Sequence, residues 1–191
     1  MISRRNLLSG AAALLASPAL AETVVRIPRS YLPHEVDVNP DLIAGRIYVV
    51  NATHNLFWTL GNGRAIQYTT ALGEAGRAFQ GQATVQRKAE WPSWTPTANM
   101  IRLEPAVYGA YRSGLPGGHE RNPLGARALY LYQNGHDTQF RIHGTPQPWT
   151  IGQSFSSGCI RLINEHIEAL YDVVPIGTQV FCLLTGSDRR A

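Results

Sequence analysis

The chain has 191 residues, enough for one domain with a sizeable core. Apolar residues make up 44% and charged residues 16%, with 18 glycines and 12 prolines; this fits a globular protein of short strands and many turns rather than long helices. The formal net charge is +4, and the +2 left once Arg4 and Arg5 are removed with residues 1–21 is too small to indicate a nucleic-acid partner.

Residues 1–21 read as an export signal, apart from the fold. Arg4 and Arg5 make a positive start, Leu7 to Leu15 form an apolar run, and Ala19-Leu20-Ala21 is a small-residue cleavage site. The run is too short for a stable membrane anchor. Ser3-Arg4-Arg5-Asn6-Leu7-Leu8 is similar to a twin-arginine signal, which implies export in a folded state. Cleavage near Ala21 removes two positive charges and no acidic residue, leaving +2.

Residues 22–44 form an N-terminal extension. The expected domain covers residues 45–185, and 186–191 are a polar tail. Arg46 to Tyr68 reads as a hairpin: Ile47-Tyr48-Val49-Val50 and Leu56 to Leu60 are rich in β-formers, and Gly61-Asn62-Gly63 is a turn before the strand at Ile66. Thr84 to Lys88 is a further strand. Trp91-Pro92-Ser93-Trp94-Thr95-Pro96 holds two prolines and is an aromatic-lined loop. Pro116 to Gly125 is also loop. Strands follow at Ala128 to Tyr132 and Phe140 to His143, with a turn at Asn134-Gly135. One main helix is expected over Glu165 to Val173, capped by Asn164, with Ile167, Leu170 and Val174 on one face and Pro175 and Gly177 ending it. Val180 to Leu184 is the last strand.

The two cysteines differ in kind. Cys182 sits in an apolar run and reads as a small buried hydrophobe. Cys159 follows the turn-prone Ser156-Ser157-Gly158, so a disulfide between the two is not the expected arrangement. A cysteine nucleophile needs a base, amide donors for an oxyanion, and a backbone that exposes sulfur. Gly158 permits an unusual backbone, and the amides of Ser157, Gly158 and Cys159 can converge on one oxygen. His143, at a strand end, is a candidate base. On residue types and spacing alone, an inert thiol and a structural histidine remain the other reading.

His143-Gly144-Thr145, then Ile151-Gly152, then Ser156-Ser157-Gly158-Cys159-Ile160-Arg161-Leu162, resembles the signature of the L,D-transpeptidase catalytic domain, also called the YkuD domain. Trp91 to Pro96, the stretch from Pro116 to Leu129 with Asn122-Pro123-Leu124-Gly125, and Gly177-Thr178-Gln179-Val180 are similar to further segments of that family. The resemblance implies a mostly β, single domain, β-sandwich or barrel-like, with one main helix after the catalytic cysteine loop.

It also implies a peptidoglycan L,D-transpeptidase, a cysteine-dependent acyltransferase of the periplasm. Cys159 would be acylated by a tetrapeptide stem with release of D-alanine, and an amine acceptor would then form a 3-3 cross-link. His143 would take the thiol proton, or sit beside the thiolate as imidazolium. The amides of Ser157, Gly158 and Cys159 would form the oxyanion hole, and Ser156 would orient the site. Arg161 would brace the loop or meet an acidic group of the substrate, with Thr145 a second substrate contact. Many relatives carry histidine where Ser157 stands. Gly144 has no side chain to orient the imidazole, so a backbone carbonyl, that of Gly144, would accept from the other ring nitrogen. Sensitivity to carbapenems is a further implication.

Water as acceptor would make the protein an L,D-carboxypeptidase or amidase. A lysine of an outer-membrane protein would make it an anchoring enzyme. An idle wall-binding module and a thiol redox protein are the competing classes; no Cys-x-x-Cys is present for the latter. The expected partners are peptidoglycan stem peptides. The histidines and cysteines have no metal-ligand spacing, and no cofactor motif appears.

Overall fold

The computed structural model describes residues 27–73, 77–156 and 158–185. The expected export signal and the polar tail lie outside the described residues.

The first hairpin forms where alternation and the turn chemistry at Asn62-Gly63 put it. A short strand, β1 (His34–Asp37), lies within the expected extension. It is followed by β2 (Ile47–Val50), β3 (Asn55–Gly61) and β4 (Arg64–Thr69). These four pair antiparallel, β1 on β4, β4 on β3, β3 on β2. Next come β5 (Leu72–Gly73) and the long β6 (Gly81–Glu90). Two short helices follow, α1 (Ala98–Leu103) and α2 (Pro105–Tyr108). The chain continues through β7 (Arg127–Gln133), β8 (His136–His143), β9 (Ser154–Ser156), β10 (Ile160–Arg161), α3 (Asn164–Val173) and β11 (Gln179–Leu183).

Nine of these strands make one mixed sheet in the order β1-β4-β3-β2-β11-β6-β7-β8-β10, while β5 and β9 pair separately. The fold is thus mostly β, with β11 parallel to β2 and β10 parallel to β8. Ala71, two residues past β4, pairs with Arg161 of β10 through reciprocal amide–carbonyl bonds of 2.9 and 2.8 Å. Strands from opposite ends of the order are therefore drawn together, and the sheet curls around its core.

One face of β7, β8 and β10 is apolar. Leu129, Ile142 and Ile160 stand in register across the three strands and are buried. The helix α3 covers this cluster with Ile167 and Leu170, and Val174 follows just beyond its end, the three positions read from periodicity. Lys88 of β6 closes the far end of the helix: its ammonium donates to the carbonyls of Tyr171 and Val174, which have no intrahelical partner, and it complements the helix dipole.

One expectation is corrected here, the residue that caps α3. The main helix is α3 itself, with shorter companions in α1 and α2, of six and four residues. Both carry local start signals: Thr97 accepts from the Met100 amide at 3.1 Å, and Pro105 opens α2. They are too short for a periodic apolar pattern to reveal. Asn164 does not cap α3. It is the first residue of the helix, Ile163 holds the cap position, and the asparagine side chain bonds elsewhere.

The buried face of α3 makes a direct test. Leu170→Ala should lower the free energy of unfolding by about 2–5 kcal/mol, through lost burial and an unfilled cavity. Val173→Ala, at an exposed position of the same helix, should stay within about 0.5 kcal/mol of the parent. Chemical denaturation of both variants checks the difference.

Candidate active site

The parallel register of β8 and β10 sets the two chemistry-bearing segments side by side. Arg161 lies beside His143, and Ile160 beside Ile142. Cys159, the next residue back, falls beside Arg141. Side chains alternate along a strand. Ile142 and Ile160 therefore enter the core, while Arg141, His143, Cys159 and Arg161 line one cleft of about 490 Å³ on the opposite face. A cleft of that size suits a short peptide or small molecule.

A bulge in β8 shapes the sulfur's surroundings. Tyr130 pairs with Arg141 and Tyr132 with Asp137, so β8 holds extra residues between the two pairs. Gln139 there takes φ 64°, a left-handed conformation rare outside glycine. Asp137 Oδ1 accepts from the Gln139 amide at 2.8 Å, and Thr138 Oγ1 accepts from the Phe140 amide at 3.1 Å. The bulge points the Gln139 carbonyl at Cys159, whose Sγ donates to it at 3.9 Å. Asp137 also grips Arg141 through both guanidinium ends, at 2.6 and 2.8 Å.

His143 is buried, and its Nδ1 lies 2.6 Å from the Gly144 carbonyl oxygen. A carbonyl only accepts, so Nδ1 carries the proton and Nε2 is left as the basic nitrogen. Burial pushes the imidazole pKa down to about 3, and the nearby Arg161 pushes the same way. Burial also raises the Cys159 thiol, against the pull of the Arg141 backbone amide and of the cationic Arg141 and Arg161. The resting pair is a neutral thiol and a neutral imidazole. The two arginines favour any negative charge that later forms at the sulfur.

Asn164 holds the histidine's support in place. Its Oδ1 accepts from the amides of Ala126, at 3.0 Å, and Thr145, at 3.1 Å. That oxygen fills a slot between Gly125 and Gly144, and a Cβ on either glycine would collide with it. The Thr145 amide follows directly on the Gly144 carbonyl, so one side-chain oxygen fixes the peptide unit that orients His143. Gly158, at φ 134°, is a third position closed to a side chain: a Cβ would run into the Phe140 ring and the Arg77 carbonyl.

The structure brings His143, Cys159 and Arg161 together in the cleft. Gly144 stands behind the imidazole. Thr145 is buried, and its Oγ1 accepts from the Gln147 amide at 3.1 Å, away from the cleft lining. Ser156 lies on β9, paired with Gly73 of β5. Ser157 lies outside the described residues. Arg141 escaped the sequence reading, and Asn164 reads there only as a helix cap. Arg141 had a signal, since it shares a strand face with His143 two residues on.

The family described as the L,D-transpeptidase catalytic domain matches the chain over residues 44–182. The probable L,D-transpeptidase ErfK/SrfK of Escherichia coli (strain K12) is 37% identical over 145 residues, which is 74% of this chain. The chain spans less than half of that relative's length, 44%. A crystal structure from Brucella melitensis, described as a probable carnitine operon oxidoreductase, is 45% identical with a TM-score of 0.56, covering 80% of this chain and 93% of that one. L,D-transpeptidase 3 from Mycobacterium tuberculosis, solved with a faropenem-derived adduct, shares the fold at 17% identity and a TM-score of 0.52, over 72% of this chain and 59% of that one.

Burial of His143 makes stability depend on pH. The unfolded imidazole binds its proton near pH 6.5 and the folded one only near 3. Stability is therefore full above about pH 6.5 and is lost as pH falls toward 3. Between pH 7 and pH 5 this group should remove roughly 2 kcal/mol of unfolding free energy, a loss that His143→Gln abolishes. Burial lowers the pKa of His166 too, so a smaller slope should survive in the variant. Asn164→Ala should cost about 2–4 kcal/mol by stranding two amides. It should also lower the acyl-transfer rate far more than Leu170→Ala does at matched stability, and Asn164→Asp, which keeps the acceptor oxygen, should recover most of both losses.

Proposed function

The chain belongs to the L,D-transpeptidase catalytic domain family, and on that premise we propose that it is a cysteine acyltransferase acting on peptidoglycan stem peptides, with Cys159 as nucleophile and His143 as general base. The observation that carries this reading is the neutral His143, fixed by the Gly144 carbonyl with Nε2 free to accept, on the same cleft face as Cys159.

The mechanism runs as two acyl transfers. The thiol proton passes to His143 Nε2 as Sγ attacks the carbonyl of the third stem residue. The tetrahedral oxyanion accepts from the amides of Gly158 and Cys159, with Ser157 as a third donor. The carbonyl re-forms, the bond to the terminal D-alanine breaks, and His143 returns its proton to the departing amine. An acceptor amine then attacks the thioester, loses its proton to His143, and releases Cys159 as the thiol. Of the two roles open to the histidine, burial that keeps the resting imidazole neutral supports an imidazole that accepts the proton during attack over a resting imidazolium. Arg141 and Arg161 stabilise the thiolate and the oxyanion as charge develops.

Export directed by residues 1–21, with action in the periplasm, completes the proposal. A redox role for the two cysteines has little support: Cys182 is core-buried on β11, its thiol pushed up to about 12.

The test is incubation of the mature chain with purified disaccharide-tetrapeptide, read by mass spectrometry beside Cys159→Ala. A dimer that has lost one D-alanine, absent from the variant, is the expected product. Tripeptide without dimer would assign the protein as an L,D-carboxypeptidase, and a Cys159 adduct without turnover would point to another acceptor such as a protein lysine. His143→Ala should reduce the rate by about 10²–10⁴-fold. A carbapenem should add its mass to Cys159, and no adduct would count against the nucleophile.

A further inference from the structure

The cleft carries a charged feature that the reacting pair does not use. Arg87 of β6 stands in register with Tyr130 of β7, and Tyr130 with Arg141 of β8. The Tyr130 ring is flanked from both neighbouring strands. The guanidinium carbon of Arg87 lies 4.3 Å from the ring centroid and that of Arg141 4.2 Å. The row continues to Cys159, beside Arg141 on the next strand, and all four residues line the same cleft.

The two arginines are in different states. Arg141 is committed to Asp137 at both ends of its guanidinium. Arg87 is exposed, and among the described residues its guanidinium makes no hydrogen bond or ion pair; its contact is the ring alone. The carboxylate of Glu104, which also lines the cleft, is taken by Arg77 at 3.2 Å. A planar cation laid on an aromatic face, with its N–H edges open, is prepared for two-point capture of a carboxylate. The ring lowers the entropy lost on capture by holding the long side chain in place.

We propose that Arg87, backed by Tyr130, is a carboxylate subsite for the donor peptide. It takes a free carboxylate carried away from the carbonyl that Cys159 attacks, and this rests on the stem-peptide reading above. Three strand spacings separate the Arg87 and Cys159 backbones, roughly 14 Å at ~4.8 Å each. The carboxylate of the departing residue stays beside the scissile bond, whereas Arg87 belongs to a strand three places from Cys159. The span suits a carboxylate at the end of the third residue's side chain, or one on the residue before it. Donors lacking that charge are poor ligands.

Calorimetry on the Cys159→Ala chain tests this with three disaccharide-tetrapeptides: the free acid, one amidated on the third residue's side chain, and one amidated on the second residue. Arg87→Gln should weaken binding of the free acid about tenfold, and Arg87→Lys by less. One amidated peptide should bind the Arg87-containing chain as weakly as the free acid binds Arg87→Gln, with no further loss on substitution; that peptide identifies the carboxylate. Equal binding of the free acid with and without Arg87, an equal loss on all three peptides, or no binding of the free acid overturns the subsite. D-alanine release by the chain with Cys159 intact is measured separately. Release without any Arg87 effect removes the subsite and keeps the transpeptidase reading. Arg87-dependent binding without release does the reverse.

Discussion

Two residue pairs on adjoining parallel strands, Ile142 with Ile160 and His143 with Arg161, hold the rest of the molecule's chemistry in place. A strand of only two residues has little stability of its own, so β10 depends on its neighbours. It is held by β8 on one side, by the exchange of bonds with Ala71 on the other, and by α3 over its buried isoleucine. A slip of one residue would turn Ile160 to the cleft and Arg161 to the core. Moving a guanidinium into the apolar core carries a desolvation cost that disfavours the slipped register. The hydrophobic packing of one face and the reactive row on the other are therefore set by one constraint.

The same arrangement fixes the electrostatics. At rest the buried imidazole among cations is neutral, and the partly buried thiol keeps its proton. The site rests uncharged at its centre and positive around it. Such a surround does little for a neutral group and much for any anion formed beside it. The Asp137 carboxylate anchors both the bulge and Arg141, so backbone shape and local field share one residue.

Much of this was legible in the sequence, and the remainder follows a pattern. The β2–β4 hairpin is written locally, in alternation and an Asn-Gly turn. The face of α3 is written in the spacing of Ile167, Leu170 and Val174. Cys159 and His143 stand in a motif of fixed order. What escaped depends on partners distant in the chain. Asn164 precedes the helical run and has cap chemistry, yet its oxygen is taken by amides 38 and 19 residues away. The row of Arg87, Tyr130 and Arg141 exists only once three strands are in register. The bulge at Gln139 breaks the period-two reading at the very residues that face the sulfur, and strained backbone of that kind collects at functional positions.

The slot shared by Asn164, Gly125 and Gly144 has a consequence for how such a chain changes over generations. The asparagine oxygen fits only because two residues far apart in sequence lack side chains, and the glycines leave a void unless that oxygen fills it. A side chain at either glycine displaces the oxygen, and loss of the oxygen leaves two amides bare. No one of the three positions drifts alone without harm. Their substitutions are coupled, and a viable alternative has to alter them as a set.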